Sequence, residues 1–303
     1  MTGASMAPQS PEAEPPSRRG RKPGPISDTA GVSHRAWLEP VRTKLSASGL
    51  TLNDLVVRSG YSKTRISELL RGNGYYPGWE LTYSVIHALD IPTWPMQRLW
   101  TEAAREAHRE ADWIERSIRQ VYPDGPRVPP LEHEGFKETV REPYTDFARV
   151  FLQVHERAVL VVRETFDILW VRWDDALASD NVPRYAWNVL RERVMARTPQ
   201  HADGRPDLRP AAFSTVAQDR ADDPEAHLAQ VSESLELFDA ISRLPHNQLD
   251  VTVLQYMCGM DTDKAAEVLG VSPALAGAFE HHARGTLEGI RSSHPTDSGG
   301  STR

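Results

Sequence analysis

The 303-residue sequence predicts an all-α protein, and three observations carry the prediction. Apolar residues recur at helical spacing through most of the chain. Capping residues precede these runs, with Gly or Pro following several of them. Alternating apolar and polar runs of strand length are short and rare, and only AVLVV at 158–162 reads either way.

Residues 1–30 are rich in Pro, Ser, Gly and charge and poor in large apolar side chains, so burial cannot offset the entropy of ordering them. They are expected to form a disordered arm carrying the basic stretch SRRGRKPG at 17–24. Residues 34–47 place Trp37, Leu38, Val41 and Leu45 on one helical face. Residues 51–58 open with a T-x-x-D capping pattern, Thr51 to Asp54, and turn Leu52, Leu55 and Val56 inward. Gly60 ends this short helix where a positive φ is cheap, Tyr61 fills the apolar turn position, and Ser62 caps a third helix that buries Ile66, Leu69 and Leu70. Pro77 suits the first turn of a fourth helix with Trp79, Val85, Ile86 and Leu89. From 95 to 121 one long amphipathic helix is expected, repeating Leu99, Ala103, Ala107, Ala111, Ile114 and Ile118.

The chain divides at YPDGPRVPPLEHEG, 122–135, where four prolines fall within fourteen residues. This gives an N-terminal unit over 31–121, a connector over 122–142, and a second helical portion over 143–291. Within that portion RTPQHADGRPDLRP, 197–210, separates 143–198 from 225–291, and a polar tail follows from 292. Helices are expected near 143–157, 159–176, 183–197, 225–244, 247–258, 262–269 and 272–290.

Composition narrows the function classes. A lone Cys258 cannot build a disulfide framework, and no apolar run approaches the roughly 18 residues of a membrane span, so a cytoplasmic, nucleoid-associated location without a membrane partner is expected. The net charge of −7 is wrong for a surface that embraces phosphate throughout, but its distribution is uneven. Residues 18–71 hold eleven Lys/Arg against four Asp/Glu, whereas residues 72–303 hold 24 against 36. Basic charge is thus concentrated in one N-terminal block.

The richest stretch is TLNDLVVRSGYSKTRISELLRGNGYYP, 51–77. Together with Arg71, Gly72 and Pro77 downstream and an apolar fourth helix, it resembles the lambda-repressor-like, Cro/cI or Xre-type helix-turn-helix family over 34–92. The resemblance implies a transcriptional regulator that binds double-stranded DNA through the third helix, whose N-terminal turn enters the major groove. With the apolar residues of that helix turned inward, Ser62, Lys63, Thr64, Arg65, Ser67, Glu68 and Arg71 are the candidate DNA-binding residues. Arg65 suits a bidentate contact to guanine, Thr64 a thymine methyl, and Lys63 or Arg71 a phosphate. Arg19 and Arg21 in the arm could enter a minor groove, although an ordinary basic tail explains them as simply. The competing explanation for the third helix is a set of solvated polar residues on a small bundle.

From Leu235 the sequence resembles region 4 of sigma-70-type initiation factors. The outline is Leu244-Pro245, then Val251, Leu254 and Tyr256, then Ala265-Ala266, Leu269-Gly270-Val271-Ser272, and Ala283-Arg284 with Leu287. Residues 143–197, with FARVF and YAWNVLRERV, resemble region 2 more loosely. The resemblance implies a second helix-turn-helix and contact with RNA polymerase core or another regulator. Where such factors carry basic and polar residues on the reading helix, this chain offers Ala274, Ala276, Gly277 and Ala278 followed by Glu280. Residues 244–291 hold three Lys/Arg against six Asp/Glu, too little positive charge to neutralise phosphate. That helix is expected to keep its fold and to have lost most of its grip on DNA.

Two alternatives stay open: a true sigma factor of the extracytoplasmic-function-like kind, and an adaptor that binds a protein or ligand with little DNA function. A homodimer is equally open. No enzyme is expected, because no nucleophile, base and orienting group present themselves. His155-Glu156 begins an H-E-x-x-H, but Val159 stands where the second histidine belongs, so neither metal nor cofactor is expected. Asp174-Asp175 reads as a solvated helix end, and Trp170, Trp173 and Trp187 read as core more readily than as base-stacking groups.

Overall fold

The computed structural model describes residues 24–122, 128–216 and 224–293, and gives only the backbone of 214–216, 224–229 and 291–293. The expected arm over 1–23, with Arg19 and Arg21, and the tail from 294 lie outside the described residues. Among the described residues there are fifteen α-helices, one π-helical turn and no strand, so the protein is all-α. No helix is long and apolar enough to cross a membrane among these residues.

The N-terminal unit begins with α1, Val32–Ser48, whose buried face carries Trp37, Leu38, Val41 and Leu45. Helix α2, Leu52–Ser59, starts at a complete capping box: the Thr51 hydroxyl accepts from the Asp54 amide at 3.3 Å, and the Asp54 carboxylate accepts from the Thr51 amide at 2.7 Å. It ends at Gly60 with φ +75°, a conformation that glycine adopts without Cβ strain. Helices α3, Lys63–Arg71, and α4, Trp79–Ala88, close a core around Trp37, Trp79, Ile66 and Leu70, all fully buried. Each such large side chain removed from water contributes roughly 1.5–3 kcal/mol.

The single helix expected over 95–121 is two. Helix α5, Thr93–Glu106, stops at Ala107, and His108 turns the chain with φ +55°, its amide bonded to the Arg105 carbonyl at 2.9 Å. Helix α6, Ala111–Arg119, then packs against α4, burying Ile114 and Ser117, and the Ser117 hydroxyl accepts from the Trp79 amide at 2.8 Å. The apolar period continues across the break because both helices bury a face, so periodicity alone does not register the turn.

Helix α7, Leu131–Leu152, begins inside the stretch read as a connector, directly after Pro129-Pro130, with Glu132 and Glu134 in its first turn where the helix dipole favours them. AVLVV lies within α8, His155–Val171. After the short α9, Trp173–Leu177, and α10, Val182–Met195, residues 197–208 form a loop that leads into α11, Arg209–Val216. Helices α12, Pro224–Ser242, and α13, His246–Thr252, follow, and α13 runs into the π turn Val253–Met257. Helices α14, Thr262–Leu269, and α15, Pro273–Ser293, complete the chain. Trp170, Trp173 and Trp187 are all buried, at 5%, 5% and 0% exposure, as core rather than surface groups. Asp174 and Asp175 are exposed in the first turn of α9.

The two ends of the chain share one continuous hydrophobic core, with α1 and α5 packed on α8. Ion pairs and hydrogen bonds stitch this junction. Arg197 reaches Glu164 at 2.6 Å and the Ser33 hydroxyl at 3.0 Å, while Glu106 accepts from the Ser33 amide at 2.8 Å. Arg163 pairs with Glu102 at 2.9 Å, and Arg98 grips Asp167 through two nitrogens. Burial pushes the Glu164 and Asp167 carboxyls up, and the arginines beside them pull back toward the charged form.

Candidate nucleic-acid interface

Helix α3 is held by its own apolar face. Ile66, Leu69 and Leu70 are buried, so the helical repeat turns the remaining positions outward as one arc. Lys63, Ser67 and Arg71 succeed one another at four-residue spacing along that arc, Thr64 and Glu68 form a second row, and Arg65 stands at its edge beside the turn. Lys63, Thr64, Arg65, Glu68 and Arg71 are exposed and Ser67 is half-buried. The seven candidate residues on α3 and its cap therefore occupy one surface.

The cap forms as expected, with the Ser62 hydroxyl accepting from the Arg65 amide at 3.4 Å. This leaves other amides of the first turn directed outward, at the positive end of the helix dipole. At the far end Gly72 closes the helix with φ +63°, and Arg42 on α1 donates to the Leu70 carbonyl at 2.7 Å. Arg71 and Ser67 are not independent donors: the Arg71 Nη2 is bonded to the Ser67 hydroxyl at 3.0 Å. Lys63 has no ion pair within this surface, and Arg65 takes no carboxylate among the described residues. Its guanidinium carbon sits 5.9 Å from the centroid of the Tyr61 ring.

Tyr61 does more than fill the turn. It is half-buried there, with Glu80 of α4 at its phenol, and it also supplies a face for Arg65. Sequence spacing carries a signal for this, since residues four apart across a cap and first turn are neighbours. The loop after α3 separates two adjacent tyrosines. Tyr76 turns inward and donates its hydroxyl to the Trp100 carbonyl at 2.6 Å, whereas Tyr75 is 93% exposed beside Asn73 and the tip of α3. Nothing in the sequence distinguishes the two.

The described helices of the second half leave this face open. Helix α8 covers α1 and α5, and α10 reaches Glu39 on α1 through Arg193, while the outward arc of α3 stays solvated.

The C-terminal pair α14 and α15 has a similar outline and different chemistry. Asp261 caps α14, Gly270 at φ +63° makes the turn, and the Ser272 hydroxyl accepts from the Leu275 amide at 3.3 Å. Ala276 and Ala283 are buried, and Arg284, in the fourth turn of α15, is already engaged. It pairs with Glu280 at 2.6 Å and donates to the Tyr256 hydroxyl at 2.7 Å, and that hydroxyl donates to Glu280 at 2.5 Å. The Gly270 turn lies against the start of α10, where Arg184 Cα and Asn181 Oδ1 both come within 2.8 Å of the position a Cβ would take. No known family model, no curated protein and no solved structure matches the chain.

Proposed function

We propose that the protein is a sequence-specific DNA-binding transcriptional regulator that reads duplex DNA through α3, and that the helices from α7 onward serve contact with RNA polymerase or another regulator. The observation that carries the reading is the surface of α3. A capped helix N-terminus presents Lys63, Thr64 and Arg65 outward in the most basic block of the chain, on a face that the other described residues leave uncovered. Amides and cations at such a terminus meet phosphate, and an arginine there can donate two bonds to guanine.

Charge favours α3 over α15 as the reader. On α15 the buried alanines offer no donor and Arg284 is neutralised by Glu280, so among its described side chains the contribution that dominates DNA affinity is missing.

The test uses the full-length chain, because an isolated N-terminal unit would expose the faces of α1 and α5 that pack on α8. Selection from a random duplex pool should return a preferred site whose binding weakens steeply with salt. Replacing Lys63, Arg65 and Arg71 together by Ala should flatten the salt dependence by roughly one unit of slope for each phosphate left without its cation. Arg284→Ala should leave binding unchanged. Equal binding of selected and scrambled duplexes by the unaltered protein would refute base reading by α3.

A further inference from the structure

A cleft of about 780 Å³ opens where α5 meets α7 and α8, with Pro129 at its edge. We propose that it binds an amphipathic monocarboxylate, an organic acid with an aliphatic or aromatic body, whose carboxylate sits on Arg98. This inference is independent of DNA reading. It concerns the junction between the two halves of the chain.

The floor of the cleft is apolar, formed by Val159, Val162, Phe166 and Trp170 of α8. Its volume falls within the roughly 300–1,000 Å³ of sites that enclose small organic ligands, and such sites favour junctions between packed units. At one end stands Arg98, and its geometry selects the ligand. The Nε lies 2.9 and 3.1 Å from the two Asp167 oxygens, and Nη2 is bonded to Oδ1 as well. The plane of the guanidinium is further fixed by Trp170, whose ring centroid is 5.4 Å from Cζ. Asp167 is buried, with 8% of its side chain exposed, while 42% of the Arg98 side chain remains open.

Nη1 takes no partner among the described residues, so the outer edge of the fork has unused donors. A guanidinium oriented in this way is prepared for a bidentate carboxylate, because the rotamer entropy of the arginine has been given up before the ligand arrives.

Net charge does not make the choice. Arg98, Lys137, Arg141 and Arg163 line the cleft against Glu134, Glu142, Asp146 and Asp167, so the two signs balance. Lys137 and Glu134 satisfy each other at 2.7 Å. A cationic ligand would have to face the fixed guanidinium, and an uncharged one would leave its donors unused. A bound acid would touch α5 on one side and α7 and α8 on the other, and would therefore add to the packing of the N-terminal unit on the second half.

The test is calorimetric titration of the full-length protein with octanoate and 4-phenylbutyrate, using octanol and octylamine as controls of equal chain length. At least one acid should bind saturably at a single site, with octanol and octylamine weaker by roughly tenfold or more, the scale of one charge-assisted hydrogen bond. Arg98→Gln should weaken the acid by a similar factor. Because that change leaves Asp167 buried alone, the neutral pair Arg98→Gln with Asp167→Asn serves as a second variant, its melting curve confirming the fold. The pair should lose acid binding too. Val159→Glu, placing a carboxylate at a 43% exposed floor position, should also abolish it. Binding of octylamine or octanol as tight as octanoate, acid binding unchanged in the folded double variant, or no saturation by either acid up to about 10 mM would overturn the proposal.

Discussion

Arg65 and Tyr61 form a cation–π pair across the N-terminus of α3, the guanidinium carbon 5.9 Å from the ring centroid. The pair links the turn to the arginine proposed to read a base. Glu80 and Ser84 of α4 surround the tyrosine hydroxyl, so the ring is anchored on the core side while Arg65 lies on its open face. A side chain steadied in this way loses less entropy when it binds.

On the proposed reading of DNA by α3, Tyr61 is a positioning residue for Arg65. Arg65→Ala should cost roughly 1–3 kcal/mol at one base pair of the preferred site and relax discrimination there. Tyr61→Leu keeps an apolar turn but removes the ring, and should lower the same discrimination by roughly 0.5–1 kcal/mol. Tyr61→Phe should retain it. Competition binding against duplexes altered one base pair at a time measures all three, and full discrimination in Tyr61→Leu would show that the ring has no part in reading.

His34 gives the N-terminal unit an acid sensitivity. Its ring stacks on Trp37 at 5.1 Å and meets the edge of Tyr76, and burial, helped by the Arg35 charge, lowers its pKa from 6.5 to about 4. The folded state therefore holds this ring neutral while the unfolded chain takes a proton below pH 6.5. Stability from His34 is present above that value and falls as pH drops toward 4, by about 3 kcal/mol in all. Buried carboxyls such as Glu164 act in the opposite sense, so the total slope mixes signs. Urea unfolding of wild type and His34→Phe between about pH 7 and 4.5 isolates the histidine: the difference between the two should shift toward the variant as pH falls. Parallel curves would refute the assignment.

The two turn glycines separate backbone strain from collision. Gly60 has φ +75° with open space around the missing Cβ, so Gly60→Ala should cost only about 1–2 kcal/mol of left-handed strain. Gly270 has φ +63° and its missing Cβ faces the backbone of Arg184 and the Asn181 side chain. Gly270→Ala must push α14 and α15 away from α10, and should destabilise the protein more than Gly60→Ala does. Denaturation midpoints decide the order. Equal losses would mean that the α10 contact yields without cost.

The helical class, the caps at Thr51 and Ser62, and the inward faces of α1 to α4 are legible in the sequence because each rests on residues close along the chain. The surface of α3 is legible for the same reason, as burial of Ile66, Leu69 and Leu70 dictates what remains outside. The break between α5 and α6 is not, since His108 is an ordinary residue in a left-handed turn and the apolar period runs on through it. Contacts across long separations are also hidden. Arg98 bonds to Asp167, 69 positions away, and Arg184 to the Leu269 carbonyl, 85 positions away, and no local pattern announces which arginine meets which partner.

A regulator and an initiation factor differ in what they must do unaided. To start transcription alone, a sigma-like protein must grip an upstream element and hold bases in the melted strand. The helix that would grip has Arg284 spent on Glu280 and Tyr256, and its turn rests on α10. Asp250, 2% exposed, ties α13 to α10 through Arg191 at 2.9 Å and the Trp187 indole at 3.0 Å. Breaking such a buried pair from one side costs roughly 3–5 kcal/mol, so the closed packing of α13 to α15 on α10 is not opened cheaply. Trp170, Trp173 and Trp187 are in the core and unavailable to stack on bases. Purified protein mixed with core polymerase and a promoter library should therefore give no specific start site, and binding to polymerase without initiation would agree with the proposed regulator. A reproducible start site that depends on residues 143–291 would replace the regulator with an initiation factor.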